Sequence, residues 1–138
     1  PPRLRTVRLV KGPRTVRGDE RGSASVELVV LMPLLLLILF SGVQGAVYYH
    51  ASTLALAAAQ EGARAAAREN ATLAAGTSAA SAFVTHAAGD SLTGVRVTGT
   101  RTPVAATITV TGSSLSLVPG WAPTVTHTAS LPVERITR

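Results

Sequence analysis

An unbroken apolar run is the feature that most constrains what this chain can fold into. Leu28–Phe40 consists of Leu, Val, Ile, Met and Phe with one Pro, and Ser41–Tyr49 extends the run with few polar members. As a helix, these residues would be roughly 33 Å long, which matches a hydrocarbon core of about 30 Å. A soluble protein could bury such a helix only in a large core, which a chain of 138 residues cannot supply. The sequence therefore predicts one membrane-spanning helix.

Basic residues are concentrated on one side of this span. Pro1–Gly22 carries seven Arg or Lys against two Asp or Glu, a net +5 in a chain whose formal charge is +6. Because basic flanks stay on the cytoplasmic side, we expect this tract to be cytoplasmic and the chain after Tyr49 to be extracytoplasmic. A basic tract without aromatic residues that directly precedes an apolar run is typical of a membrane flank. No nucleic-acid partner is therefore predicted.

Small residues recur near the outer end of the span. Ser41 and Gly45 are four residues apart, and so are Gly42 and Ala46. This spacing lets a second membrane helix approach closely, so these four residues are the predicted helix-packing site. Pro33, within the span, removes one backbone donor and predicts a bend.

Alanine dominates the chain after the span. Twelve of the twenty-five residues in Ala51–Ala75 are Ala, the residue with the highest helix propensity. We therefore expect the helix to continue to Asn70 or Ala75, where Gly76 would end it. The small side chains of this extension suit close packing.

A second, shorter helix is predicted next. Thr77 or Ser78 would cap it, and Gly89 with Asp90 would end it. Four apolar residues recur at helical spacing and form the face that we expect to be core. They are Ala80, Phe83, Val84 and Ala87.

Apolar residues alternate with threonines beyond Asp90. This period of two, interrupted by Gly and Pro, predicts a small antiparallel sheet of three or four strands. His127 occupies one of the apolar positions of this alternation. It is interpreted as a core or edge residue whose polar atoms are hydrogen-bonded. The apolar positions are Val95, Val97, Ala106, Ile108, Val110, Val125, Ala129 and Leu131.

These patterns predict the α+β class, with a long N-terminal helix that spans the membrane in its first half, a short helix and a small antiparallel β-sheet. Three segments follow: residues 1–22 as a basic cytoplasmic leader, residues 23–76 as the transmembrane helix with its Ala-rich extension, and residues 77–138 as a small extracytoplasmic domain. The predicted location is the cell membrane, where lipids are partners of the span.

Glu27 stands at the mouth of the span. A carboxylate in this position costs free energy unless a partner neutralises it, so Glu27 is a candidate functional residue. It closes the motif Arg21–Glu27, which reads RGSASVE.

This motif resembles that of type IV prepilins, in which a leader peptidase cleaves after a glycine that follows basic residues and precedes a glutamate by five positions. Gly22, Ser23 and Glu27 match that pattern. The stretches GSASVELVVLMPLLLLILF and AAAQEGARAAAREN extend the resemblance to TadE-like proteins of tight-adherence (Flp) pili over Arg21–Asn70. The resemblance implies a minor pilin or pseudopilin that is cut between Gly22 and Ser23 by a prepilin peptidase. Other pilin-like subunits and pilus assembly proteins are its implied partners.

Cleavage after Gly22 would create an ammonium group on Ser23, four residues before Glu27. The two charges could neutralise each other, most usefully between neighbouring subunits of a filament. Ser23 and Glu27 are therefore the predicted assembly charge pair.

Two alternatives to prepilin processing stay open. Ordinary signal-peptide cleavage near Gly45 and Ala46 would release a secreted protein. An uncleaved chain would instead be a single-pass anchor that presents a small β domain to an extracellular partner. The position of the mature N-terminus distinguishes all three alternatives.

No catalytic constellation is recognisable in the sequence. His50, His86 and His127 could combine with Asp90 and a serine, but neither a nucleophile elbow nor metal-binding helical spacing is present. The chain also has no Cys, which excludes a thiolate metal site. We therefore predict no enzyme activity, no metal and no cofactor.

Overall fold

The computed structural model of the chain describes residues 2–3, 8–12 and 19–137. Half of the predicted leader, residues 1–22, lies outside the described residues. The order of elements confirms the predicted α+β class, with a long helix, a short helix and an antiparallel sheet. The elements are α1 (Asp19–Ala67), α2 (Leu73–Phe83), a π-helical turn (Val84–Ala88), a 3₁₀ turn (Gly89–Ser91), β1 (Leu92–Arg101), β2 (Ala105–Ser114) and β3 (Thr124–Pro132).

The chain divides into two compact units, and the first, residues 1–37, contains the beginning of α1. The large apolar side chains of this part of α1, from Val26 to Leu37, are exposed. Pro33 lies inside the helix. In the described part of the chain, one helix, Arg21–Ala67, is long and apolar enough to cross a membrane. Lipid suits such a helix because the backbone polar groups are satisfied internally while the side chains need an apolar solvent.

The second unit, residues 38–138, contains the sheet. Its strand order is β1-β2-β3 with antiparallel neighbours. The central strand β2 buries Ala106, Ile108 and Val110 completely, which confirms the predicted alternation. On the opposite face, hydroxyl groups pair across β2 and β3, with 2.8 Å between the side-chain oxygens of Thr109 and Thr128.

Alanines of α1 cover the buried face of the sheet. Each of them lies three or four residues from another member of the set, so they share one side of the helix. Because an alanine side chain is a single methyl group, the helix backbone can approach the strands closely. Ile108, Val110 and Val125 fill the same core from the sheet side. The fully buried alanines of this core on α1 are Ala51, Ala55, Ala58, Ala59 and Ala63.

The end of α1 differs from the prediction. Its last residue is Ala67, rather than Asn70 or Ala75. A contact with the sheet accounts for the difference, because Nε of Arg101 donates to the carbonyl oxygen of Ala66 at 2.8 Å. The guanidinium satisfies a carbonyl that a longer helix would have paired itself, and a cation is favoured at a helix C-terminus.

The start of α2 corrects two further predictions. Thr72, rather than Thr77 or Ser78, caps the helix, because its side-chain oxygen accepts a hydrogen bond from the Ala75 N–H at 3.1 Å. Gly76 does not break a helix but lies buried inside α2. Its low helix propensity is outweighed by close packing, which leaves no room for a side chain there.

The turn that follows α2 shifts the buried face by one residue. Three of the four predicted core residues of this region are buried or half-buried, but Ala87 is exposed and Ala88 is buried in its place. The reason is the π-helical geometry of Val84–Ala88, which has more residues per turn than an α-helix. Helical periodicity therefore predicts the wrong inward position at this point.

Candidate functional site

The three residues of the predicted processing motif lie together on α1. The helix begins at Asp19, so the peptide bond between Gly22 and Ser23 is within its first turns. Ser23 and Glu27 are four residues apart and share one helix face, where they line a shallow groove with Gly22 and Val26. Gly22, Ser23 and Glu27 are all exposed. A second molecule could therefore reach the whole motif.

Gly22 has no packing role in the described chain. A Cβ atom built on it would meet no other atom within 4 Å, and its φ is not positive. Glycine in a helix also costs about 1 kcal/mol relative to alanine. The fold by itself therefore gives no reason for a glycine at this position, which fits a requirement imposed by a partner.

The predicted helix-packing site is an exposed surface. Ser41, Gly42, Gly45 and Ala46 are all exposed, and a Cβ atom at either glycine would meet nothing within 4 Å. Ala46 also lines a groove to which Leu115 contributes. Close approach of another helix at this site stays a prediction.

Gln44 has a role that the sequence did not reveal. Its side-chain Nε2 donates to the carbonyl oxygen of Leu115 at 3.1 Å, and its Oε1 accepts from the Leu117 N–H at 2.8 Å. The side chain thus joins α1 to the loop after β2. One available signal was the amide itself, because a polar side chain in an apolar run requires a hydrogen-bonding partner. The identity of that partner was not readable from the sequence.

Two side chains of α1 contact β3. The hydroxyl of Tyr48 donates to the carbonyl oxygen of Thr124 at 3.5 Å. Oγ of Ser52 lies 2.6 Å from Nε2 of His127, in a partly buried position. His127 is therefore a hydrogen-bonded residue at the margin of the core, which confirms its interpretation from the sequence.

The histidines do not assemble into a common site in the described residues. His127 pairs with Ser52, whereas His50 and His86 are exposed. Within residues 2–3, 8–12 and 19–137, no group of three or more His, Cys, Asp or Glu is placed to hold a metal ion.

Comparison with known proteins identifies one related segment. Residues 22–64 match the family model described as TadE-like protein, which confirms the resemblance drawn from the motif and the apolar run. No curated protein and no solved structure matches the chain. The match begins at Gly22 and ends at Arg64, so α2 and the sheet lie outside it. This family is pilus-associated and structural rather than catalytic.

Proposed function

Because the chain is TadE-like over residues 22–64, we propose that it is a minor pilin or pseudopilin of a tight-adherence pilus. In this proposal, a prepilin peptidase removes the leader after Gly22, and the mature protein takes part in pilus assembly with other pilin-like subunits. The family match and the long apolar helix fit a pilus-related membrane protein with a single-pass anchor. The observation that carries the finer assignment is the exposed set Gly22, Ser23 and Glu27 immediately before the apolar run.

The orientation rests on the distribution of charge. The net +5 of residues 1–22 lies entirely before the span. Positive flanks are retained in the cytoplasm, so the leader faces the cytoplasm and the sheet lies outside. Cleavage after Gly22 would then take place on the cytoplasmic side of the membrane, where the basic leader lies.

Processing is helped by the position of the cleavage site in α1. The first four N–H groups of a helix have no partner within it, so its first turn opens at little cost. The bond after Gly22 lies close to this weak end, since α1 begins at Asp19. A glycine without packing contacts leaves the backbone accessible to a peptidase.

Assembly is attributed to the charge pair that cleavage creates. The new ammonium group of Ser23 and the carboxylate of Glu27 would both lie at the membrane edge, where an unpaired charge is costly. Pairing the two charges, within one subunit or between neighbours, removes that cost. The pair would therefore favour subunits that have been processed.

Determining the mature N-terminus tests the proposal. The full chain is expressed in cells that contain a tight-adherence system, recovered through a C-terminal tag and subjected to N-terminal sequencing. A start at Ser23 is the expected result. A start near Val47 would indicate secretion after ordinary signal-peptide cleavage, and an intact leader would indicate an uncleaved anchor, and either result overturns the proposal.

A further inference from the structure

Large apolar side chains are displayed on the loop that joins β2 to β3. We call residues 115–123 the β2–β3 loop. Leu115, Leu117, Val118 and Trp121 are each between 43% and 53% exposed. Surface loops are usually polar, and a group of exposed apolar side chains commonly marks a contact with a partner or a membrane.

The β2–β3 loop has a defined conformation that presents these side chains. The Trp121 N–H donates to the carbonyl oxygen of Val118 at 3.2 Å. Between them, Gly120 has a φ of 78° and follows Pro119, the sequence that a type II turn requires. The apolar tip is therefore held by a tight turn rather than exposed by lack of structure.

Gln44 holds the β2–β3 loop beside the apolar part of α1. The two hydrogen bonds of its amide go to the backbone of Leu115 and Leu117. Gln44 comes five residues before Tyr49, the last residue of the apolar run, which is about 8 Å along a helix axis. The attachment point therefore lies inside the predicted span, near its outer end.

Polar residues follow the apolar run at this end of the second unit, where the membrane would give way to water. His50 directly follows Tyr49, and it lines one groove with Asp90 and Leu115. Both His50 and Asp90 are exposed. The groove thus runs from apolar helix residues to polar ones, as expected at the level of lipid headgroups.

Charged side chains cluster at the opposite end of the strands. No Asp, Glu, Lys or Arg occurs between Arg101 and Glu134. Arg101 binds the end of α1, and Arg135 donates to the carbonyl oxygen of Pro103 at 2.9 Å. The ten residues of β2 separate this charged end from the β2–β3 loop by about 33 Å. At one end of the second unit, β2 and β3 are therefore joined by an uncharged apolar loop, with Asp90 beside it, and at the other end charged side chains cluster.

We propose that the β2–β3 loop inserts into the outer leaflet of the membrane that α1 crosses. Trp121 lies at the headgroup boundary, and Leu117 and Val118 contact the acyl chains. The inference rests on the membrane location in the proposed function. Lipid is the occupant because Gln44 fastens the loop within the span and the loop carries no charge that would oppose insertion. Tryptophan is also the residue most typical of the membrane interface.

The intrinsic fluorescence of Trp121, the one tryptophan in the chain, tests this proposal. The full chain is reconstituted into phosphatidylcholine and phosphatidylglycerol vesicles that contain brominated lipids. We expect strong quenching by lipids brominated near the glycerol end, weaker quenching by lipids brominated near the methyl end, and little quenching by aqueous acrylamide.

Two results would overturn the loop insertion. One is emission typical of water-exposed tryptophan that brominated lipids do not change. The other is blue-shifted emission that brominated lipids do not quench and that varies with the protein-to-lipid ratio. That result would indicate that a second copy of the chain covers Trp121. An alkaline carbonate wash separates these failures from failure of the membrane location on which the inference rests, because a chain without a membrane span would be washed off the vesicles.

A variant of Gln44 tests the attachment. Gln44→Ala removes both hydrogen bonds to the β2–β3 loop, so we expect a loss of quenching by brominated lipids and a red shift of emission, while the chain resists the carbonate wash. Gln60→Ala is the matched control, because Gln60 is an exposed amide on the same helix. Equal quenching in the two variants would contradict the role of Gln44 in placing the loop.

Discussion

Gly62 and Gly76 face each other at the contact between α1 and α2, and neither position has room for a side chain. A Cβ atom on Gly62 would lie 2.8 Å from the Gly76 carbonyl oxygen, and one on Gly76 would lie 2.8 Å from the Gly62 carbonyl oxygen. Ile108 of the central strand closes the same contact, with side-chain carbons 3.1 and 3.2 Å from the two Cβ positions. The two helices and the sheet are therefore in close contact around this pair.

Substitution of Gly62 by alanine should destabilise the second unit. The added methyl group would collide with backbone and with a short alanine side chain, neither of which can rotate away, so we expect a loss of about 1–3 kcal/mol in the free energy of unfolding. Denaturant unfolding of the full chain in detergent, followed by circular dichroism of the sheet, measures it. Gly42→Ala is the control, because that position is open. Equal stability of the two variants would contradict the tight contact.

Leader removal should depend on Gly22. In Gly22→Leu, the side chain would obstruct a peptidase cleft that accepts a bare backbone, and the leader would persist. Immunoblotting of membranes reports the size of the protein. Gly12→Leu is a matched control in the leader, since Gly12 also has open space around it, and it should mature normally. Maturation of Gly22→Leu to the wild-type size would remove the main support for prepilin processing.

Pilus assembly should depend on the charge of Glu27. Glu27→Gln keeps the shape of the side chain but leaves the Ser23 ammonium without its partner, so we expect an inserted, stable protein that fails to enter or support the pilus. Cleavage can continue in this variant. Surface pili are counted by electron microscopy in cells whose sole copy carries the change.

The control for this experiment is Glu69→Gln, an exposed carboxylate that follows α1. We expect wild-type pilus numbers in that strain. Wild-type numbers in Glu27→Gln as well would support the simpler interpretation, in which Glu27 extends to the lipid headgroups and pairs with nothing.

The orientation predicts which residues a membrane-impermeant maleimide can label. The chain has no cysteine, so single cysteines report without background. In intact protoplasts, Thr98→Cys on the exposed face of β1 should react, whereas Leu9→Cys, combined with Gly22→Leu so that the leader is retained, should react only after lysis. Leu9 is chosen because its replacement leaves every basic residue in place. Labelling of Leu9→Cys in intact cells would reverse the proposed topology.

Local patterns predicted most of the fold. The apolar run of α1 and the alternation of Ala106, Ile108 and Val110 are each contiguous in sequence and report directly on which solvent a segment prefers. The predicted processing motif was recognisable in the sequence because Gly22, Ser23 and Glu27 lie within six residues. Ser23 and Glu27 share one helix face because four residues separate them.

The predictions from sequence were wrong where the structure depends on tertiary packing or on an irregular helical turn. Gly76 was predicted to end a helix because its propensity is low, but the close approach of Gly62 makes glycine necessary inside α2. Periodicity likewise placed Ala87 inward, since a π-helical turn leaves no mark in a pattern of apolar residues. Propensity is a weak local preference, and tertiary packing outweighs it.

The sequence by itself determined that this chain has a membrane-length apolar helix, a TadE-like segment and a small α+β region, because hydropathy, charge and short motifs are properties of neighbouring residues. Tertiary structure alone decided where α1 ends and what Gln44 binds. The acceptor of Gln44 is 71 residues away along the chain, and the guanidinium of Arg101 is 35 residues from the carbonyl that it satisfies. Such partners are selected by packing of the helices on the sheet, and no local pattern contains that information.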